Sequence, residues 1–433
     1  MKRINLDASL TVIASELRSG GWPLLDYLAK LEKRFHEREP DVLAFVPEDG
    51  RFLRLHQQAQ ELLTKYPNPA DRPPLFGIPV GVKDVFQVDG FTTRAGSQLP
   101  TELLQGSEAP SVTALRQAGA LILGKTVTTE FAYFGPGPTR NPHNPAHTPG
   151  GSSSGSAAAV GAGIAPLTFG TQTIGSVNRP AAFCGVVGYK PTYDRIDKSG
   201  VLPLSVSLDH VGIFTNDVAG IELTAGLLCQ HWQLMVTEKK PVLGIPEGLY
   251  LQRATAEGRK HFRQWCRRLH DAGFIVKSVE AMPDFDKIYE RHNLIVAAEA
   301  ARFHEAWFAE HAEKYHPKTA ELIQRGQKVT DAQLKRAVNG RPTLREKLTQ
   351  LMDKQGLDLW LSPAAPGAAP AGLDSTGDPV MNLPWTHAGL PTLTLPAGKN
   401  KAGLPLGLQL TGRWFGDEAM LSFACQLEPL VKN

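Results

Sequence analysis

Two serines 24 residues apart each sit in a glycine-rich setting. Ser152 lies in Pro149-Gly150-Gly151-Ser152-Ser153-Ser154-Gly155-Ser156, and Ser176 in Gly170-Thr171-Gln172-Thr173-Ile174-Gly175-Ser176-Val177-Asn178-Arg179-Pro180. Upstream, one lysine interrupts the apolar run Gly77-Ile78-Pro79-Val80-Gly81-Val82-Lys83-Asp84. A serine hydroxyl is a weak nucleophile until a base takes its proton. A lysine serves as that base when it is neutral, and burial disfavours the ammonium form. Val80, Gly81, Val82, Val85 and Phe86 surround Lys83 with the apolar neighbours a desolvated amine needs. Together the three residues suggest a serine hydrolase with a lysine base. The competing reading of Lys83 is an ion pair with Asp84 at a strand end.

The glycines carry a second requirement of such chemistry. Acyl transfer needs backbone N–H groups aimed at a developing oxyanion. A glycine-containing loop can turn successive amides to one side, and Thr173-Ile174-Gly175-Ser176 is such a row. Gly151-Ser152-Ser153-Ser154-Gly155 also matches G-x-S-x-G, which would make Ser153 the nucleophile of a strand-to-helix elbow. That elbow must follow a buried strand. The preceding Asn141-Pro142-His143-Asn144-Pro145-Ala146-His147-Thr148-Pro149 is broken by proline, so it supplies none. No G-K-[ST] follows the glycines, which argues against a phosphate loop.

The elements that must position these residues follow from patterning. Residues from about 5 to 66 show apolar positions at helical spacing, including Leu24, Leu28, Leu31, Leu55, Leu62 and Leu63. Residues 68–74 form a connector. From 75 to about 228, strand-like runs (78–82, 120–123, 166–169, 186–189) alternate with Gly/Pro turns and helices, 111–118 among them, as in an α/β core. Residues 241–246 read as a strand, and about 248–355 as charged, mostly helical sequence forming a cap-like insertion. Strands at 357–363, 392–396 and 406–410, a loop at 364–372 and a helix from about Glu418 complete the return to the sheet. The expectation is one large domain over 1–433, with parts at about 5–66, 75–228, 248–355 and 356–433.

Composition narrows the classes. The 433 residues are 42% hydrophobic and 21% charged with a formal charge of +3, a soluble globular balance with no support for nucleic-acid or membrane-surface binding. Cys184, Cys229, Cys266 and Cys425 form no C-x-x-C pair, which argues for reduced thiols rather than a zinc knuckle or disulfide framework. His143 and His147 stand at i and i+4 around Pro145, a loop spacing rather than a metal-binding helix, and no metal site is expected. The N-terminal Met-Lys-Arg-Ile-Asn-Leu-Asp lacks an apolar leader core, so a cytoplasmic enzyme is expected.

The residues resemble the amidase signature family. The resemblance rests on Gly77–Asp84, Thr148–Ser156, the Ser176 loop, Pro180–Thr192, Ser207-Leu208-Asp209-His210-Val211-Gly212, Gly389-Leu390-Pro391 and Gly403–Gln409. It spans about 75–425, more weakly at about 240–350. It implies an α/β/α sandwich around a large mixed sheet and a Ser–cis-Ser–Lys triad. Ser176 would be the nucleophile, Ser152 the bridging serine preceded by a cis peptide, and Lys83 the base. The amides of Thr173, Ile174, Gly175 and Ser176 would hold the oxyanion. It also implies no metal or organic cofactor and a small-molecule amide as substrate; a homodimer is a reasonable expectation.

Three positions depart from the usual T-D-x-G-G-S-x-R pattern. Gln172 replaces the acid, Ile174 replaces a glycine, and Asn178 stands where arginine is usual, with Arg179 one residue later. Arg179 could face the pocket and bind a substrate carboxylate bidentately. Its competing reading is a structural arginine bonding loop carbonyls. His210 and His387 are candidates for the pocket, as are Phe131, Tyr133 and Phe134. Three activities fit the same triad: amide hydrolysis, carbamate or ester hydrolysis, and release of ammonia from glutamine for a partner chain. Substrate choice is expected to reside in 248–355 and in the loop at 364–387.

Overall fold

A computed structural model describes residues 3–432. Ten strands form one sheet: β1 (Pro79–Lys83), β2 (Leu121–Thr126), β3 (Leu167–Gln172), β4 (Val187–Lys190), β5 (His210–Thr215), β6 (Val242–Glu247), β7 (Ile275–Glu280), β8 (Leu359–Pro363), β9 (Thr392–Lys399) and β10 (Pro405–Thr411). Their order is β2-β1-β3-β5-β4-β9-β10-β8-β6-β7. Pairing is parallel from β2 through β1 to β3 and from β8 through β6 to β7, and antiparallel across the middle. The sheet is therefore mixed, and helices cover it as an α/β/α sandwich.

The helices are α1 (Leu10–Ser19), α2 (Leu24–Val42), α3 (Arg51–Lys65), α4 (Pro110–Gln117), α5 (Ser154–Gly161), α6 (Asn178–Cys184), α7 (Val218–Leu228), α8 (Leu249–Gln252), α9 (Ala256–Asp271), α10 (Phe285–Phe303), α11 (Glu305–His311), α12 (Pro317–Gly326), α13 (Asp331–Gln355), α14 (Leu383–Ala388) and α15 (Asp417–Lys432). Among the described residues none is long and apolar enough to cross a membrane. The residues Met1 and Lys2, part of the segment read for a leader, lie outside the described residues, as does Asn433.

Two elements matter most for the site. Helix α5 packs on β3 and α6, and its small residues let it sit deep: Ala157, Ala158, Ala159 and Val160 are all buried. A side chain at Gly155 would collide with the carbonyl of Ala44. Strand β1 is buried at every position, and a Cβ at Gly81 would lie 2.8 Å from Thr126 and 3.0 Å from Thr168 on its two neighbours. Close packing on both sides excludes water from the strand that ends in Lys83.

Two strands depart from the sequence reading. β7 lies inside the segment read as mostly helical. It is an edge strand with largely exposed or half-buried residues, including Lys277 and Glu280, so its alternating apolar signal is faint. β5, between β3 and β4, begins at the His210-Val211-Gly212 motif, which the patterning did not assign to a strand. The other strands lie where patterning put them, within a few residues. The four cysteines are free thiols, three of them buried.

Candidate active site

Lys83 closes β1 and is fully buried. Its Nζ lies 2.7 Å from Ser152 Oγ and 2.7 Å from Thr171 Oγ1. Desolvation holds the amine well below the ordinary lysine value, with the carboxylate of Asp209 partly opposing the shift. A neutral amine has two protons and one lone pair. It can donate to Thr171 while accepting from the Ser152 hydroxyl, which is the polarity a base requires. Thr171 escaped the sequence reading, although it stands in the quoted glycine loop. Its role depends on β3 lying beside β1, with Val82 opposite Phe169.

Asp84 does not pair with Lys83. Successive side chains leave a strand on opposite faces, and Asp84 Oδ1 is 2.8 Å from Nζ of Lys125 on β2. Lys125 also donates to the Phe86 carbonyl and to Thr93 Oγ1.

The peptide between Gly151 and Ser152 is cis. Ser153, the alternative nucleophile, is buried; its Oγ donates to the carbonyl of Thr171 and accepts from the amide of Thr171. It ties the start of α5 to β3 and has no free face toward a substrate. Ser176 lies in the turn between β3 and α6. It is 6% exposed, and its hydroxyl has no hydrogen-bond partner among the described residues.

The turn that carries Ser176 is held from outside. Thr386 on α14 donates to the carbonyl of Ile174. Gln172 Oε1 accepts the amides of Val177 and Asn178, and Nε2 donates to Asn178 and Thr386. Gln172 thus supplies the acceptor that an acid would have supplied, capping the start of α6. Asn178 is likewise framework, joined to Thr392 and Thr394 on β9. Gly175 is needed because a side chain there would collide with Asn382 and come within 2.8 Å of Pro379. With the Ile174 carbonyl turned to α14, the amides of Ile174, Gly175 and Ser176 donate to no acceptor among the described residues.

Arg179 is buried and braces loops. Nη1 donates to the Gly377 carbonyl and Nη2 to the Gly151 carbonyl, both at 2.5 Å, and Nη2 also reaches Thr376 Oγ1 at 3.2 Å. This is the carbonyl-bonding arrangement. Arg179 does not line the cleft described next, so the structure does not place it where the carboxylate reading put it. Burial lowers its guanidinium to about 10.

A cleft of about 330 Å³ opens beside the Ser176 turn. Ile174 lines it from the turn, Tyr133 and Phe134 from the loop after β2, and Tyr289 and Asn293 from α10. Lys318, Glu321, Leu322 and Arg325 of α12, residues 375–379 and Leu383 of α14 complete the wall. The inserted helices and the 364–387 loop thus furnish much of the lining, and Ile174 is the departure from the usual loop that reaches it. Phe131 instead packs among His304, Trp307 and Tyr315. His210 and His387 are buried and do not line the cleft, though His210 Nδ1 lies 3.3 Å from the Gln172 carbonyl. His210 Nδ1 lies 2.6 Å from the Leu208 carbonyl, and His387 faces His292 at 5.6 Å between rings. His143 and His147 each bond a backbone carbonyl, of Cys184 at the end of α6 and of Ala369.

Comparison with known proteins adds an independent line. The family model described as Amidase matches residues 51–421. The glutamyl-tRNA(Gln) amidotransferase A-subunit from Geobacter metallireducens is 32% identical, over 83% of this chain and 84% of that protein. Its counterpart from Roseiflexus sp. is 33% identical over 88% of each. Among solved structures, a crystal structure of an amidase shares 33% identity with a TM-score of 0.89, covering 98% of this chain and all of that one. A peptide amidase in complex with the inhibitor chymostatin, 24% identical, aligns with a TM-score of 0.84 over 98% of each chain and supports the fold.

Proposed function

The chain belongs to the Amidase family of enzymes acting on C–N bonds, and on that premise we propose that it hydrolyses a linear amide of a small molecule through an acyl-enzyme on Ser176. The observation that carries this reading is the buried Lys83, its amine held well below the ordinary lysine value by desolvation, within hydrogen-bond reach of Ser152 and next to the cis Gly151–Ser152 peptide. Ser176 passes its proton to Ser152 as Ser152 passes its own to the Lys83 lone pair. The freed Oγ attacks the carbonyl carbon. The amides of the Thr173–Ser176 turn take the negative charge that develops on the carbonyl oxygen, already oriented and shielded from water. The proton held on Lys83 returns through Ser152 to the leaving nitrogen, which departs as ammonia or an amine. Water then attacks the acyl-enzyme as the same relay takes its proton; the bond to Ser176 Oγ breaks, Ser176 takes that proton back through Ser152, and the acid product ionises to the carboxylate. In this reading Arg179 holds the Gly151 carbonyl and Thr171 steadies the lysine, while residues lining the cleft select the acyl group. Carbamates and esters fit the same relay and belong in the substrate panel.

A second reading is favoured by the relatives named as amidotransferase subunits, which align over most of their own length. On it, the chain releases ammonia from glutamine for a partner. Assay of the purified chain with simple amides, carbamates, esters and glutamine separates the two. Turnover of simple amides by the isolated chain supports the first; activity confined to glutamine with a partner present supports the second. Ser176→Ala is expected to abolish turnover and labelling by a fluorophosphonate, and near-wild-type rates in that variant would end the assignment of Ser176.

A further inference from the structure

Asp209 begins no strand and lines no cleft, yet its buried carboxylate is fully engaged. Oδ1 accepts the hydroxyl of Thr173 in the Ser176 turn. Oδ2 accepts the amides of Leu204 at 2.9 Å and Ser205 at 3.0 Å. The 204–207 loop is gripped from its other side by Glu299 of α10, which accepts the hydroxyls of Ser205 and Ser207 and the amide of Ser207. Helix α10 is also the element that sends Tyr289 and Asn293 into the cleft. One continuous set of hydrogen bonds therefore runs from the cleft helix, through two carboxylates and a short loop, to the turn that would bind the oxyanion.

We infer that Asp209 is a positioning residue for the reaction, fixing the Thr173 end of the oxyanion turn, and that Glu299 ties this anchor to helix α10. The inference rests on the hydrolytic reading of Lys83, Ser152 and Ser176. Its physical basis is that oxyanion donors act only when held in place before the reaction. Thr173 sits at the hinge where β3 ends and the free amides begin. A carboxylate that accepts both its hydroxyl and two amides of a second loop fixes that hinge against a rigid neighbour. Asp209 is also the anion that acts on Lys83, while Lys198 is the cation that acts on Asp209.

The test compares Asp209→Asn, Thr173→Val, Thr173→Ser and Ser207→Ala with wild type, each checked for folding by thermal melt. Thr173→Val is expected to lower kcat by about 10- to 100-fold with little change in KM, as small misplacements of reacting groups do. Thr173→Ser keeps the hydroxyl and is expected to retain most of the rate. Asp209→Asn is expected to lower kcat and also to move the acidic limb of the rate profile to lower pH. The sign follows from charge: the Asp209 anion favours protonated Lys83, so its removal lets Lys83 stay neutral to lower pH. Thr173→Val carries no charge change and should leave the limb in place. Ser207→Ala is expected to have the smallest effect, a few-fold in kcat. Wild-type kcat in Thr173→Val, or equal losses in Thr173→Val and Thr173→Ser, would overturn the inference even if Asp209→Asn failed to fold. If Ser176→Ala is inert while these variants are unaffected, the inference fails and the hydrolytic reading stands. If Ser176→Ala remains active, both fall.

Discussion

Lys83 and Lys125 lie at the ends of neighbouring parallel strands or one residue short of them, are both buried, and have different partners. Lys125 has a carboxylate at 2.8 Å, in Asp84, along with a carbonyl and a hydroxyl. Lys83 has two hydroxyls. The acid that follows Lys83 in sequence is spent on the other lysine, because the pleat sends residues 83 and 84 to opposite faces. Burial lowers the Lys125 amine too, but the Asp84 carboxylate opposes that shift directly and makes the pair a structural contact. A lysine offered only hydroxyls in a dry site has its ammonium form disfavoured, which is what the proposed base needs. The difference lies in which face of the sheet each side chain leaves from.

The largest expected contrast comes from replacing each lysine by methionine. Lys83→Met should lower kcat by about 10²–10⁴-fold or more, the range of a lost general base. Its stability should equal or exceed that of wild type, since a buried amine without a directly paired carboxylate is removed. Lys125→Met should do the reverse, leaving Asp84 buried without its cation at a cost of about 3–5 kcal/mol, read as a fall in unfolding midpoint, with kcat of the folded fraction within a few-fold. If Lys125→Met loses activity as Lys83→Met does while remaining folded, the contrast fails.

The pH dependence sharpens it. Burial holds the Lys83 amine well below the ordinary lysine value of 10.5 in the folded chain, and unfolding releases it to that value. The unfolded chain then binds the extra proton, so this group makes wild-type stability rise with pH between its depressed folded value and 10.5. Lys83→Met lacks that contribution, and its stability advantage should shrink as pH climbs toward 10.5. In kinetics, kcat/KM of wild type should fall as pH drops through the depressed Lys83 value. The residual rate of Lys83→Met should lack that limb. A wild-type rate that is flat on the acid side, with the enzyme folded, would remove Lys83 from the role.

The smallest effect is expected at Thr171. Thr171→Val removes one of the two hydroxyls on Lys83, worth about 1 kcal/mol, and should lower kcat about five- to tenfold. KM should not move, because Thr171 does not line the cleft.

Much of this was legible in the chain. The apolar run around Lys83 marked a desolvated lysine, and the prolines before Ser152 excluded an elbow at Ser153. Ser153 instead clasps β3. Apolar-run patterning found the buried strands other than β5 because both faces of each are covered. It missed β7, whose edge position tolerates charge. It also left Arg179 between two readings, since a guanidinium suits a carboxylate and a loop carbonyl alike, and only the position of Gly377 and Gly151 engages it.

What the sequence by itself determined is the set of reactive groups and their surroundings along the chain: two glycine-framed serines, a lysine among valines, and small residues that let α5 sit deep. Those are properties of composition and local pattern. The tertiary structure alone decided the partners: Asp84 for Lys125 rather than Lys83, Thr171 for Lys83, and Asp209 for Thr173. Hydrogen bonds and ion pairs form between groups brought together by strand order and register. Thr171 meets Lys83 across 88 residues of chain, a distance that no local pattern encodes.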